Sequence, residues 1–245
     1  MSLLITRHTS LKRGVCGHSL LAHPPTGCVG GSTFVPPQAL ILMDFANGVF
    51  KSGANDVDPS QLISTPNYIS PGGGFIQPVD QPITEILGDF LDAITGSDGF
   101  TIVYKFNAVP RNGNVARYLD ITQFGSGAEI FIEQGGVSPF EAAYHAMRVQ
   151  HDDGSYAELY PSSDSNAVVK QAWNFSPAGA AVSMAGSAVL SNHNAQSIVG
   201  GFNHAFMGGP NSFSTPGENN FDGFTLQYIA VYPLQAEADL PKFSS

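Results

Sequence analysis

From residue 100 to residue 184 the chain repeats one pattern: a run of five to nine residues rich in Val, Ile, Phe, Tyr and Ala, then a cluster of Gly, Asn, Asp, Pro or Ser. The runs cover residues 100–106, 116–124, 128–133, 143–150, 156–160, 168–174 and 180–184, and the turn signals include Asn112-Gly113, Asp153-Gly154 and Ala185-Gly186. Strand-length runs at this spacing are what an antiparallel sandwich needs. The pattern extends to both sides. Leu40, Ile41, Leu42, Met43 and Phe45 precede Asn47-Gly48 and Val49-Phe50, the strongest short hairpin signal. Residues 224–232 form a late apolar strand that Pro233 stops, and residues 236–240 have the length of one helical turn. Residues 51–80, rich in Ser, Pro, Gly and Asn, read as loop with short strands.

Composition decides that such a chain folds and narrows its partners. Gly and Pro together fill 27 + 17 = 44 positions, yet 42% of residues are hydrophobic and 11% aromatic, so there is apolar surface to bury and the chain is not a disordered segment. Charged residues make up only 12%, about half the usual share, which leaves Ser, Thr, Asn, Gln and Gly to cover the surface and disfavours a helical bundle. A length of 245 residues fits one large β domain or two small ones. Ten basic against twenty acidic side chains give a net charge of −10, which argues against nucleic acid or an anionic membrane as partner. No apolar run approaches the ~18 residues of a membrane helix, and residues 3–5 are too short for a signal-peptide core, so neither membrane insertion nor a readable export signal is expected.

One helix is expected. Ile83, Ile86, Leu87, Phe90, Leu91 and Ile94 recur at helical spacing, with Pro82 placed for the first turn and Gly96 just past the end. The amino-terminal segment is distinct in charge: Arg7, Lys12 and Arg13 lie in the first thirteen residues and no acidic residue precedes Asp44, so the remainder carries 7 − 20 = −13. A basic, acid-free segment on an acidic body reads as an arm that docks on a neighbouring subunit. Pro24, Pro25, Gly27, Gly30, Gly31, Pro36 and Pro37 mark the boundary, which makes residues 1–38 arm and linker and residues 39–245 the β domain.

Candidate chemistry is sparse. In Glu129-Ile130-Phe131-Ile132-Glu133, period-two alternation places Glu129, Phe131 and Glu133 on one face and the isoleucines in the core. The stretch resembles the Glu-Ile-Asp-Ile-Glu strand of laminarinase-type retaining glucanases, whose same-face carboxylates act across the scissile bond. Phe131 replaces the central Asp that holds such a pair, so the strand is expected to be a solvated face and the protein not an enzyme. Cys16, His18, His23 and Cys28, with His8 nearby, are residue types that suit zinc, but their spacing matches no paired-Cys knuckle. An ordinary arm with reduced cysteines, or a disulfide joining Cys16 to Cys28, are the other readings, and no metal or cofactor is expected. His145, His151, His193 and His204 stand in no catalytic or zinc-binding spacing and read as surface or loop residues. His151-Asp152-Asp153-Gly154 reads as a hairpin turn, and Gly72-Gly73-Gly74 lacks the strand–helix context of a phosphate loop. Asn-rich residues 191–196 and 211–220 would supply amide groups to a sugar site, while Trp173, the sole tryptophan, lies in an apolar run and belongs in the core.

Three stretches carry a resemblance: residues 83–94 leading into Gly99-Phe100-Thr101-Ile102-Val103; residues 169–174 followed by residues 181–189, with Ala185-Gly186 where Asn-Gly is commoner; and residues 221–240, with a Tyr232-Pro233 stop. Their order resembles the concanavalin A-like (laminin-G-like) jelly-roll domain, especially its version in tailed-phage virion proteins, and the hairpin at residues 44–50 is similar to openings of such proteins. The resemblance implies an all-β antiparallel jelly-roll sandwich with one short helix and an extended N-terminal arm. It also implies a structural component of a tailed-bacteriophage virion, assembled in the host cytoplasm through contacts with other virion proteins and with copies of itself. A carbohydrate-binding module for host-surface glycans is the alternative, and a retaining β-glucanase the third reading.

Overall fold

Strand β1 (Ile41–Asp44) shows how the pattern works locally: Ile41 and Met43 are buried, while Leu42 and Asp44 are half-buried, as period two requires. Asp44 accepts from the Asn47 backbone at 3.0 Å and from its side-chain amide at 2.8 Å, and Gly48 sits at φ +68°, so the turn closes and β2 (Val49–Ser52) returns beside β1. The computed structural model describes residues 34–70, 72–76, 84–95, 98–107, 116–123, 129–135, 144–150, 155–161, 168–194, 201–207 and 225–245, and within it Pro37–Ser245 forms one compact unit.

The further strands are β3 (Asn55–Asp56), β4 (Ile69–Ser70), β5 (Gly74–Phe75), β6 (Thr84–Ile86), β7 (Phe100–Asn107), β8 (Ala116–Thr122), β9 (Glu129–Gly135), β10 (Tyr144–Gln150), β11 (Tyr156–Leu159), β12 (Val168–Ser176), β13 (Gly179–Met184), β14 (Leu190–Asn192), β15 (His204–Met207) and β16 (Thr225–Pro233). Among the described residues they form two antiparallel sheets. The larger runs β14-β13-β12-β7-β16-β1-β2-β3, with β5 also on β16 and β4 on β5; the smaller runs β11-β10-β9-β8-β15-β6. One apolar cluster joins them. Tyr104, Trp173, Phe175 and Ile229 of the larger sheet meet Ile121, Ile130, Ile132 and Met147 of the smaller, so the chain is an all-β antiparallel sandwich. Trp173 is 0% exposed, as its apolar flanks require.

The helix is shorter than its periodicity predicts. Only α1 (Gly88–Ile94) is helical, with Phe90 and Ile94 buried, and Leu87 ahead of it is extended at φ −89° and ψ 174°. The preceding residues Thr84–Ile86 are strand β6, paired with β15. The reason is that Thr84 and Ile86 also alternate with Glu85, and pairing with a neighbouring strand satisfies backbone groups that an isolated first turn would leave open. A second short helix, α2 (Leu240–Ser244), follows the closing strand through a 3-10 turn at Glu237–Asp239. Leu240 and Phe243 pack with Val103, Ala172, Ala181, Ala230 and Tyr232 on the outer face of the larger sheet, where the alanines leave room for the helix.

Candidate functional site

The register of the smaller sheet sets one row of residues across its outward face: Glu85 opposite Phe206, Phe206 opposite Asp120 and Asp120 opposite Phe131. His204, Thr122 and Glu129 form the neighbouring row. Cross-strand neighbours stand about 4.5–5.5 Å apart at Cβ, so each row is a line of neighbouring positions. Acidic and aromatic side chains alternate along it, on the face opposite Ile86, Ile121 and Ile130 of the core.

Burial divides this face. Asp120, Thr122, Glu129 and Phe131 are buried, at 1%, 2%, 5% and 1% exposure. The solvated strand face expected around Glu129 is therefore corrected: Glu129 and Phe131 are as enclosed as Ile130 and Ile132, and β9 is an interior strand with β8 and β10 on its two sides. A wholly buried phenyl ring occupies the position between Glu129 and Glu133 where the glucanase strand has a carboxylate. The accessible part is the end toward β6, where Glu85, His204 and Phe206 are each half-buried.

Three local features hold that end in place. Ser64 brackets Glu85, its backbone N–H donating to the Glu85 carbonyl at 2.9 Å and its hydroxyl oxygen accepting from the Glu85 N–H at 2.9 Å. His204 Nδ1 lies 3.0 Å from Glu85 Oε1, and since a carboxylate only accepts, Nδ1 carries the hydrogen. The rings of His204 and Phe206, two residues apart on β15, lie parallel with centroids 5.8 Å apart. The result is a fixed, partly open aromatic surface with a carboxylate beside it. Such a surface packs against the C–H face of a sugar ring while the carboxylate accepts from hydroxyl groups. At the opposite edge the Tyr160 hydroxyl donates to Glu158.

The other residues singled out in the sequence fall as follows. Arg7, Lys12, Arg13, Cys16, His18, His23 and Cys28, with His8, lie outside the described residues, as do His151, the turn at residues 152–154 and residues 211–220. His145 occupies a register position opposite Gln134 on β10, and Glu133 one opposite Arg117 and Ala146. His193 is exposed in the turn after β14. His204 is a half-buried surface group carried by a strand, β15, between β8 and β6, rather than by a loop. In the Asn-rich stretch, Asn192 spends its amide on the Glu158 carbonyl at 3.1 Å, tying the edges of the two sheets together. The sequence did not single out Glu85 or Phe206, because only the β15 pairing brings them together. Among the described residues no group of three or more His, Cys, Asp or Glu is placed to hold a metal ion, and no helix is long and apolar enough to cross a membrane.

No family model and no curated protein matches the chain. Solved structures do. A structure described as NanB plus Optactamide is similar over 70% of this chain and 27% of its own, with a TM-score of 0.52 at 13% identity. The CBM40 domain of a Ruminococcus gnavus IT-sialidase bound to alpha2,6 sialyllactose is similar over 61% of this chain and 84% of its own, with a TM-score of 0.44 at 14% identity. The binding domain of botulinum neurotoxin DC in complex with rat synaptotagmin II is similar over 65% of this chain and 38% of its own, with a TM-score of 0.44 at 11% identity. At 13% identity, the likeness to the NanB structure is one of fold.

Proposed function

We propose that this protein is a non-catalytic carbohydrate-binding module whose ligand lies on the outward face of the smaller sheet, at its β15–β6 end. The observation that carries the reading is the pair of parallel, half-buried rings of Phe206 and His204 beside the Glu85 carboxylate. The acidic, amide-rich and cation-poor composition fits a ligand recognised by stacking and hydroxyl contacts better than a polyanion. Sialyllactose binding belongs to the Ruminococcus gnavus domain; the reading for this chain rests on its own residues. It places carbohydrate binding ahead of the purely structural role expected from the sequence. A virion setting, supported by the motif order alone, is a separate proposal, and a glycan-reading domain would serve attachment there.

A glycan array probed with the full chain tests this. Binding to one class of glycan, weakened at least about tenfold in Phe206→Ala with an unchanged far-UV spectrum, is the expected result. Failure to retain any glycan, or binding that Phe206→Ala leaves intact, overturns it. Laminarin and lichenan are expected to stay unhydrolysed, because Phe131 fills the place of the bridging carboxylate.

A further inference from the structure

On the opposite side of the sandwich, the outer face of the larger sheet carries a cleft of about 550 Å³ lined by Asp44, Lys105, Lys170, Gln227, Tyr228 and Ser245. Its floor is a single register row: Asp44 opposite Tyr228, Tyr228 opposite Lys105, and Lys105 opposite Lys170. A bulge in β16 between Leu226 and Tyr228 re-aims the strand there, so Leu226 is buried in the core while Tyr228 and Gln227 line the cleft.

Two lysines directly opposite each other on adjacent strands are a destabilising pair. This chain has only ten basic residues and a net charge of −10, yet among the described residues no Asp or Glu side chain pairs with either lysine. Lys170 Nζ donates to the backbone oxygen of Ser245 at 3.0 Å, which uses one of its three N–H groups. Partial burial and the neighbouring Lys105 both hold the Lys170 ammonium below its ordinary pKa. The one carboxylate in the row, Asp44, is two strands from Lys105 and already accepts two bonds from Asn47. Beside the lysines, the Tyr228 hydroxyl lies 3.0 Å from that of Tyr232, and the Gln227 amide faces the same space.

We infer that this cleft binds a small polyhydroxylated oxyanion, with its carboxylate, sulfate or phosphate group seated between Lys105 and Lys170 and its hydroxyl groups against Tyr228, Gln227 and Asp44. An oxyanion seated there offsets the repulsion between the two opposed lysines, their ammonium groups give it charge-assisted hydrogen bonds, and the cleft volume matches that of a small-molecule site. The inference does not rest on the glycan reading, since the two sites lie on opposite sheets.

The test titrates the full chain with glucuronate, sulfate, inorganic phosphate and, as the uncharged control, glucose, following heat and Tm. At least one oxyanion is expected to bind and raise Tm, with affinity falling as sodium chloride is added, while glucose leaves Tm unchanged. The probe that binds identifies the group. Lys105→Gln and Lys170→Gln are each expected to weaken that binding at least about tenfold and to remove the Tm shift. Lys51→Gln, which removes an equal charge from the distant pair with Asp56, keeps both. Three results overturn the inference: no oxyanion raises Tm, glucose binds as well as glucuronate, or the Lys105 and Lys170 variants bind as the parent does.

Discussion

Trp173 and Tyr104 show how differently two fully buried aromatic rings are treated. The indole N–H of Trp173 donates to Gln171 Oε1 at 2.8 Å, and the Gln171 amide in turn donates to Met184 Sδ at 3.4 Å, so a polar chain runs inside the core with its donors used. Trp173→Ala is expected to cost about 3–5 kcal/mol in urea unfolding, and the native emission of this sole tryptophan to be blue-shifted and poorly quenched by iodide. Red-shifted, readily quenched emission would contradict the burial. The Tyr104 hydroxyl is buried with no hydrogen-bond partner. A buried hydroxyl left unpaired costs about 1–3 kcal/mol, so Tyr104→Phe is expected to leave stability unchanged or raise it, read as a higher urea midpoint. Burial, helped by the nearby Tyr118, pushes the Tyr104 phenol well above its ordinary pKa. The folded state then keeps the proton where the unfolded chain loses it. Stability from this group is complete below pH ~10 and falls as pH rises from there toward the folded value, so the parent is expected to lose stability above pH 10 more steeply than Tyr104→Phe.

Element ends depend on partners that the elements themselves do not supply. After β16, the chain is anchored by three bonds: Thr101 Oγ1 donates to Asn174 Oδ1 at 2.6 Å and accepts from the Gln235 N–H at 2.9 Å, while Asn174 Nδ2 donates to the Gln235 carbonyl at 2.8 Å. This triangle spans β7, β12 and the exit of β16, and it leads the chain toward α2. Asn174→Ala is expected to cost about 1–3 kcal/mol, since it leaves the buried Thr101 hydroxyl and the Gln235 carbonyl short of a partner. An unchanged urea midpoint would show that the triangle is replaceable by water. The stretch at residues 83–94 teaches the same dependence. Its apolar residues fit helical spacing, but Thr84, Glu85 and Ile86 also fit alternation, and β15 alongside settles the matter in favour of a strand. Ala185-Gly186 departs from the commoner Asn-Gly, and the backbone shows the cost: Ala185 sits at φ +50°, the only non-glycine residue at positive φ among those described.

At the scale of the whole molecule, two sheets enclose one core and present two unlike outer faces. Because Pro37–Ser245 forms a unit of its own, the chain without residues 2–34 is expected to melt cooperatively with the far-UV spectrum of an antiparallel sheet. A non-cooperative product would mean that the segment is needed for folding. The fold class was legible in residue order, because period-two burial and turn residues act over a few neighbouring positions: the hairpin of residues 41–52, the strands at Phe100–Asn107 and Val168–Ser176, and the burial of Trp173 all follow from local pattern. The candidate sites were not legible. Glu85 and Phe206 lie 121 positions apart, as the difference 206 − 85 shows, and Asp44, Lys105, Lys170 and Tyr228 come from four separate strands. None of these residues was singled out by a ligand-binding motif, since their meeting is set by strand order and register. The same cause reversed the expectation at β9, where alternation assigns Glu129 and Phe131 to one face correctly but carries no information on whether that face is open. Local sequence thus determined which residues alternate and turn, whereas long-range pairing decided which faces are covered, which charges become neighbours, and which side chains meet at each candidate site.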